Sequence, residues 1–389
     1  MNLWYRQLRH RYDFERRGST GHHFQQNQEK KMHKTHFNRF IARACLLLAG
    51  ASLASPSLAA GYAFTTLPVL SGGTQSTVLA INNLGQAVGY TDFDHSYFGF
   101  SNHATFWDNN TAVGIPTSVN SYATDINDAG QVVGWSSATH TVHNGAFVWQ
   151  SGTSGVATDL NTSYYSEVAY GINSQGDVVG SAEAYGVIWS ASSGTSYLEY
   201  KSAAIDINDS GAIVGRYDGN AVVWSGGTRT ILDNLEGGYS VPAAINNAGQ
   251  VVGYSMTASF TPRATLWNGT TVIDLGSFGG NSNATGINDL GQVVGVSLTA
   301  TGDRRAFLWD GTAMVDINSF LDSGTVAEGW ALLDAADIND KGQIVGKAYN
   351  SLSGQYSSYL LTPVPEPETY AMMALGLAMV GWRMRIKRT

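Results

Sequence analysis

Between residues 81 and 346 one pattern of apolar and polar positions recurs. It is an isoleucine, a short polar run, a glycine, then an apolar pair closed by a second glycine, as in Ile126-Asn127-Asp128-Ala129-Gly130-Gln131-Val132-Val133-Gly134. Further copies begin at Ile81, Ile172, Ile207, Ile245, Ile287 and Ile338, and all seven keep Asn second, Gly fifth, Val eighth and Gly ninth. The chemistry predicts a hairpin corner. Ile126 ends a strand, and Asn127 and Asp128 can bond their own backbone to start a turn. Gly130 supplies the left-handed conformation that closes a short bulged loop, and Gln131-Val132-Val133 begins the returning strand. The last glycine, Gly134, falls inside that strand, where a missing side chain marks a bulge or a close neighbour. On this reading the Asn, Asp and Gly residues make turns.

A second pattern is a strand ending in tryptophan: Ala104-Thr105-Phe106-Trp107, Ala146-Phe147-Val148-Trp149, Gly186-Val187-Ile188-Trp189, Ala221-Val222-Val223-Trp224, Ala264-Thr265-Leu266-Trp267 and Ala306-Phe307-Leu308-Trp309. Ser358-Tyr359-Leu360-Leu361 is a seventh copy with Leu361 in place of the tryptophan. Several copies are apolar on both faces, which fits a sheet covered on both sides, and tryptophans recurring once per unit are expected to pack rather than to bind. Weaker strands precede the turn (Ser121 to Ile126) and follow the tryptophan (Thr271 to Leu275), so the unit has four strands. Successive isoleucines are 45, 46, 35, 38, 42 and 51 residues apart, a spacing of propeller blades. The expected fold is all-β, a seven-bladed β-propeller of roughly 43-residue repeats over residues 60–363. Tyr62 to Leu67 aligns with the strand that follows a tryptophan, and Ser358 to Leu361 with the strand that bears one. The ring therefore closes either by packing between blades or by the two ends sharing one blade.

The flanks read differently. Residues 1–59 form a polar, basic extension and a signal peptide, with Met32 as the expected start. Lys34, Arg39 and Arg43 make a basic segment, Ala44 to Ala51 an apolar one, and Ser57-Leu58-Ala59 a cleavage site after Ala59. Residues 364–389 contain Val364-Pro365-Glu366-Pro367-Glu368, an apolar run from Tyr370 to Trp382, and a basic stop of Arg383, Arg385, Lys387 and Arg388. The run is shorter than the roughly 20 residues a full span needs, so a transient membrane contact is expected, with the basic end cytoplasmic.

Composition sharpens this. With 45 Gly, 8 Pro and 13% charged residues among 389, the chain is globular and large enough for a substantial core. Residues 61–363 carry 8 Lys+Arg against 25 Asp+Glu, a balance of −17, while the first 60 (10 against 3) and last 26 (4 against 2) are basic. An acidic body repels phosphate backbones, so nucleic acid is excluded as a partner. The single cysteine, Cys45, lies in the signal segment, which leaves the mature body without thiol or disulfide.

The Ile-Asn-x-x-Gly-x-x-Val-Gly turn with its Ala-Phe-x-Trp strand resembles the HAF repeat family of extracellular bacterial proteins, over nearly all of residues 62–362. The tail from Val364 to Arg388, with Pro365, Glu366 and Pro367 as its motif, resembles a PEP-CTERM sorting signal. That resemblance implies a Gram-negative bacterium, processing by an exosortase-type enzyme, and a place at the cell surface or in the exopolysaccharide matrix. The HAF resemblance implies surface location without an established chemistry.

Chemical motifs are sparse. Asp125 to Gly130 superficially resembles a calcium loop, but Ala129 and Ser136 stand where an EF-hand places an oxygen ligand and a glutamate. Asp125, Asp128, Asp206, Asp209, Asp337 and Asp340 could share a rim. His95, His103, His140 and His143 occupy neighbouring insertions without the cysteine or carboxylate partners of a zinc site. No nucleophile elbow, phosphate loop or cofactor motif occurs, so no catalytic, metal or cofactor residue is assigned. The one non-repeating cluster of acids and an aromatic is Asp322, Glu328 and Trp330, a candidate ligand edge. The sequence thus points to an exported monomer, non-catalytic, that binds exopolysaccharide or another envelope component. The alternatives are a glycan-active enzyme using Asp322, Glu328 or the rim aspartates and a purely structural coat protein.

Overall fold

Each repeat folds as four antiparallel strands because each supplies one tight turn, one apolar strand between two others, and a glycine wherever backbones cross closely. The computed structural model describes residues 61–95, 99–117, 120–137, 144–153, 155–160, 162, 164 and 166–364. Ala59, the sorting motif Pro365 to Pro367, the basic stop, His140 and His143 lie outside them. Among the described residues the strands form seven four-stranded antiparallel sheets, the blades of a propeller. Blade 5, for example, runs Ser240–Ile245, Gln250–Met256, Pro262–Asn268 and Thr271–Asp274 from the axis outward.

Blade 7 is made by both ends of the described chain. Trp330–Ile338, Ile344–Asn350 and Gln355–Pro363 are its inner three strands, and Tyr62–Thr66 is its outermost, with Tyr62 opposite Pro363 and Phe64 opposite Leu361. The ends share one blade, so the ring is closed by backbone pairing as well as by packing.

The nine-residue unit makes the predicted corner. In each copy the glycine N–H at the fifth position donates to the asparagine carbonyl, as from Gly130 to Asn127 at 3.0 Å, and Gly130 has φ of 74°. The ninth glycine answers both expectations at once. The inner strand carries a register shift opposite it in every blade, as between Ala123 and Asp125. A Cβ on any of the seven glycines would lie 1.9 to 2.2 Å from an inner-strand carbonyl, Tyr122 O in the case of Gly134. Only glycine lets the two strands cross there.

The core lies between blades. Phe106 of blade 1 packs with Ile126, Val132 and Trp149 of blade 2, and Trp107 and Trp267 are fully buried. Their indole N–H groups donate to the carbonyls of Pro68 (2.7 Å) and Asp233 (2.6 Å), as buried tryptophan requires. They are packing residues.

Candidate functional site

Strand direction gives the ring two unlike faces. Turns between first and second strands and between third and fourth strands lie on one, which we call the turn face. The remaining connections lie on the other, the loop face.

On the turn face the second-position asparagines form a closed circle. The side-chain amide of Asn82 donates to the carbonyl of Asn127, Asn127 to Asn173, Asn173 to Asn208, Asn208 to Asn246, Asn246 to Asn288, Asn288 to Asn339, and Asn339 back to Asn82, over 2.8 to 3.5 Å. Each side-chain oxygen meanwhile accepts from its own turn, as Asn246 does from the N–H of Gln250 at 2.9 Å. These residues therefore make turns and also bind each blade to the next. The sequence reading gave them only the first role. The signal was present, since all seven copies hold Asn there and none holds Asp, whereas the third position accepts Asn, Asp or Ser; a turn alone tolerates either residue, but only the amide donates.

The third-position residues form the rim of a mouth of about 210 Å³. Asn83 donates to Asp128 (3.2 Å) and Asp340 (2.8 Å), and Asn247 donates to Asp209 (3.1 Å) and Asp289 (2.9 Å). The rim that the sequence suggested splits into two groups. Asp128, Asp209 and Asp340 are at the mouth, while Asp125, Asp206 and Asp337 each clamp two blades through isoleucine N–H groups, Asp337 also lining the mouth. Asp125 accepts from the N–H of Ile126 (2.7 Å) and of Ile172 in the next blade (2.8 Å). Asp206 bridges Ile207 (2.8 Å) and Ile245 (2.9 Å), and Asp337 bridges Ile338 (2.8 Å) and Ile81 (3.0 Å). Burial pushes their carboxyls up, Asp125 to about 6, Asp337 to about 7 and Asp206 to about 8, against the lowering effect of those N–H bonds. The charge of Asp125 adds to the rise at Asp206 and Asp337. Gly171 and Gly286 leave room for these carboxylates, because a Cβ would stand 2.9 Å from Asp206 Oδ1 and 2.7 Å from Asp337 Oδ1. Among the described residues no three His, Cys, Asp or Glu side chains come together to hold a metal, and His103 packs at 4.7 Å from the Phe93 ring.

The loop face carries the non-repeating side chains. Of the candidate edge, Asp322 caps the short helix Ser323–Ala327, accepting from the N–H groups of Gly324 (2.8 Å) and Thr325 (3.1 Å) and from the Thr325 hydroxyl (2.7 Å). The Thr325 bonds hold its carboxyl below the usual range. Trp330 packs against Phe64 at 5.4 Å, and the Glu328 carbonyl accepts from Asn350 at 2.9 Å. The three are neighbours in sequence but each has a different local task.

Aromatics are concentrated elsewhere on this face. Tyr122 stacks on Trp135 at 4.3 Å. Tyr164, Tyr185 and Tyr197 cluster with centroids 5.5 to 6.3 Å apart, and Tyr200 lies 5.6 Å from Tyr185. Arg216 donates to the Tyr239 hydroxyl at 2.9 Å, and Tyr239 lies beside Tyr254. Tyr254 borders a cleft of about 280 Å³ between blades 5 and 6.

Residues 363–388 match the PEP-CTERM protein-sorting motif. The match implies an exported protein, sorted at the membrane of a Gram-negative bacterium and processed by an exosortase. No curated protein matches the chain. The fold is similar to the β-propeller domain of the Trilobed protease from Pyrococcus furiosus, with 12% identity and a TM-score of 0.51 over 74% of this chain and 95% of that one. Streptogramin B lyase has 10% identity and a TM-score of 0.48 over 79% and 100% of the two chains. At such identities the first likeness speaks for the propeller alone.

Proposed function

We propose that the mature propeller is a non-catalytic protein of the cell surface or extracellular matrix that binds a polysaccharide through its loop face. The observation that carries this reading is the division of labour between the faces. The turn face is consumed by ring closure, its asparagine amides and rim carboxylates bonded to one another. The loop face presents exposed tyrosines, among them Tyr197 and Tyr200 of the outer strand Gly194–Tyr200, beside connections of unequal length, where a rigid scaffold carries binding residues. Pro363, from which the sorting tail departs, lies at the turn-face end of its strand, so the loop face of a tethered protein is left free. The resemblance of the repeats to the HAF family supports a surface location. The capping bonds on Asp322 argue against its use as a glycosidase acid, which needs a raised pKa.

The test is an array of bacterial exopolysaccharides probed with the exported protein, with released reducing ends measured in parallel. Binding without product release is expected. Product release that is lost on Asp322→Asn or Glu328→Gln means an enzyme instead, and neither binding nor release means a structural coat protein.

A further inference from the structure

The cleft between blades 5 and 6 has the chemistry of a saccharide subsite. Its apolar wall comes from Met256 and Leu298, with Tyr254 at one side. Its polar wall comes from Asn281, Asn283 and Arg304. The two asparagine side chains make no hydrogen bond within the described residues, which leaves two amides, each with donors and an acceptor, facing open space. Arg304 is held by Asp334 of blade 7 at 3.1 Å, so its N–H donors stand beside a compensating carboxylate.

A second observation lies in the loop that joins Met256 and Pro262, two residues of the cleft lining. Between Met256 and Pro262 the loop is tied by bonds from Thr257 N–H to Thr261 (3.0 Å) and from Phe260 N–H to Thr257 (2.8 Å). At its tip Phe260 is 76% exposed and has φ of 57°. A bulky non-glycine residue in the left-handed region is strained, and an exposed phenylalanine gains little packing in return. Holding an aromatic ring out at that cost is characteristic of a binding position.

We propose that this cleft, with Phe260 of the adjoining loop, binds a neutral saccharide, one or two pyranose rings of a longer chain. A pyranose presents an apolar C–H face, which fits Phe260, Tyr254 and Leu298, and an equatorial rim of hydroxyls, which fits paired amides and an arginine. The volume lies near the lower bound of ligand pockets, about 300 Å³, too small for a large cofactor. Asp334 offsets the Arg304 charge at the cleft, and the acidic body repels an anionic sugar. The inference rests on the polysaccharide reading above and adds the place and the charge class.

The experiment uses the full chain exported through its own signals. It is probed on an array of neutral hexose and N-acetylhexosamine oligosaccharides, with uronate and sulfated oligosaccharides as charged comparators, and the best binder is then titrated. Phe260→Gly should weaken binding at least fivefold while leaving the melting temperature unchanged or higher, because glycine relieves the positive φ. Asn283→Ala should weaken it similarly, and Leu84→Ala, at an exposed position on the turn face of blade 1, should not. If neutral glycans bind but Phe260→Gly and Asn283→Ala bind as wild type, the cleft assignment fails and the polysaccharide reading stands. Preference for charged glycans overturns the charge class. If no glycan binds, both fail together.

Discussion

The backbone N–H of Val364 donates to the carbonyl of Gly61 at 3.0 Å, so the last described residue is bonded to the first. Around this bond the outer strand of blade 7 is held by side chains as well. Tyr62 stacks on Phe320 at 5.1 Å, and Phe64 lies 5.4 Å from Trp330 and 6.2 Å from Tyr359. The strand closes the ring, and its loss opens blade 7 to solvent.

Phe64→Ala should therefore lower the unfolding free energy by about 2 kcal/mol, less than the roughly 3–5 of a fully buried phenylalanine because Phe64 is half-buried. Denaturant titration checks it, and a change under about 0.5 kcal/mol, the range of an ordinary surface substitution, would mean that the strand is not a working clasp.

The asparagine circle predicts a difference between two substitutions at one site. Asn246→Ala loses the bonds to Asn288 O (3.0 Å), Gln250 Oε1 (2.9 Å) and Gln250 N–H (2.9 Å) and should cost roughly 1–3 kcal/mol. Asn246→Asp keeps the acceptor but sets a carboxylate against two oxygens, so at neutral pH it should be at least as damaging as alanine. An aspartate variant as stable as wild type would remove the interblade role.

Two glycines of blade 4 separate backbone angle from steric fit. Gly211 has φ of 76° with nothing within 4 Å of an added Cβ, while at Gly215 that Cβ would lie 2.1 Å from Ala203 O. Gly211→Ala should cost about 1–2 kcal/mol from the left-handed conformation alone. Gly215→Ala should cost clearly more, since two backbones must separate. Equal melting temperatures for the two variants would contradict the close crossing.

How much of this could be read beforehand depended on how local the cause was. The turn at Asn127 to Gly130 and the glycine at 134 were legible because their constraints act within a few residues or across one strand pair. The amide bond from Asn127 to Asn173 was not, because its acceptor belongs to another blade and appears only when the ring closes. Asp125 and Asp128 looked like one rim in sequence, yet Asp125, at the inner-strand bulge, is bonded to the N–H groups of Ile126 and Ile172 while Asp128 stands at the mouth. The candidate edge Asp322, Glu328 and Trp330 was found by sequence proximity; in the fold Asp322 caps a helix, Trp330 packs on Phe64 and Glu328 is engaged through its backbone carbonyl. The cleft of Tyr254, Asn283 and Arg304 draws on two blades at non-repeating positions, and no sequence spacing announces it.

Maturation gives a prediction at both ends. A mature species is expected to begin near Ala60 and to end near Pro365 to Pro367, which removes Cys45 and leaves no thiol. Mass spectrometry of protein recovered outside the inner membrane checks the ends, and an intact terminus through Arg383 to Thr389 would contradict processing. Melting should be insensitive to reductant.

The three acids that clamp neighbouring blades, Asp125, Asp206 and Asp337, make stability depend on pH in a sense opposite to that of a paired carboxylate. Burial raises Asp125, Asp337 and Asp206 to about 6, 7 and 8, against about 3.9 for an unfolded aspartate. Between about pH 4 and pH 8 the folded protein thus holds protons that the unfolded chain has released. Stability then falls as pH rises, by about 1.4 kcal/mol per unit for each proton held, and the fall ends once all three are ionised above about pH 8. The lowered carboxyls, Asp310 and Asp322, act the other way, but only in acid below about pH 4. The melting temperature should therefore be higher at pH 5 than at pH 8. Asp206→Asn, which cannot ionise, should flatten that slope even though it weakens one of the two N–H bonds to Ile207 and Ile245. A melting temperature that rises from pH 5 to pH 8, or a slope unchanged in Asp206→Asn, would show that these carboxylates stay ionised, stabilised by the paired N–H groups that join one blade to the next.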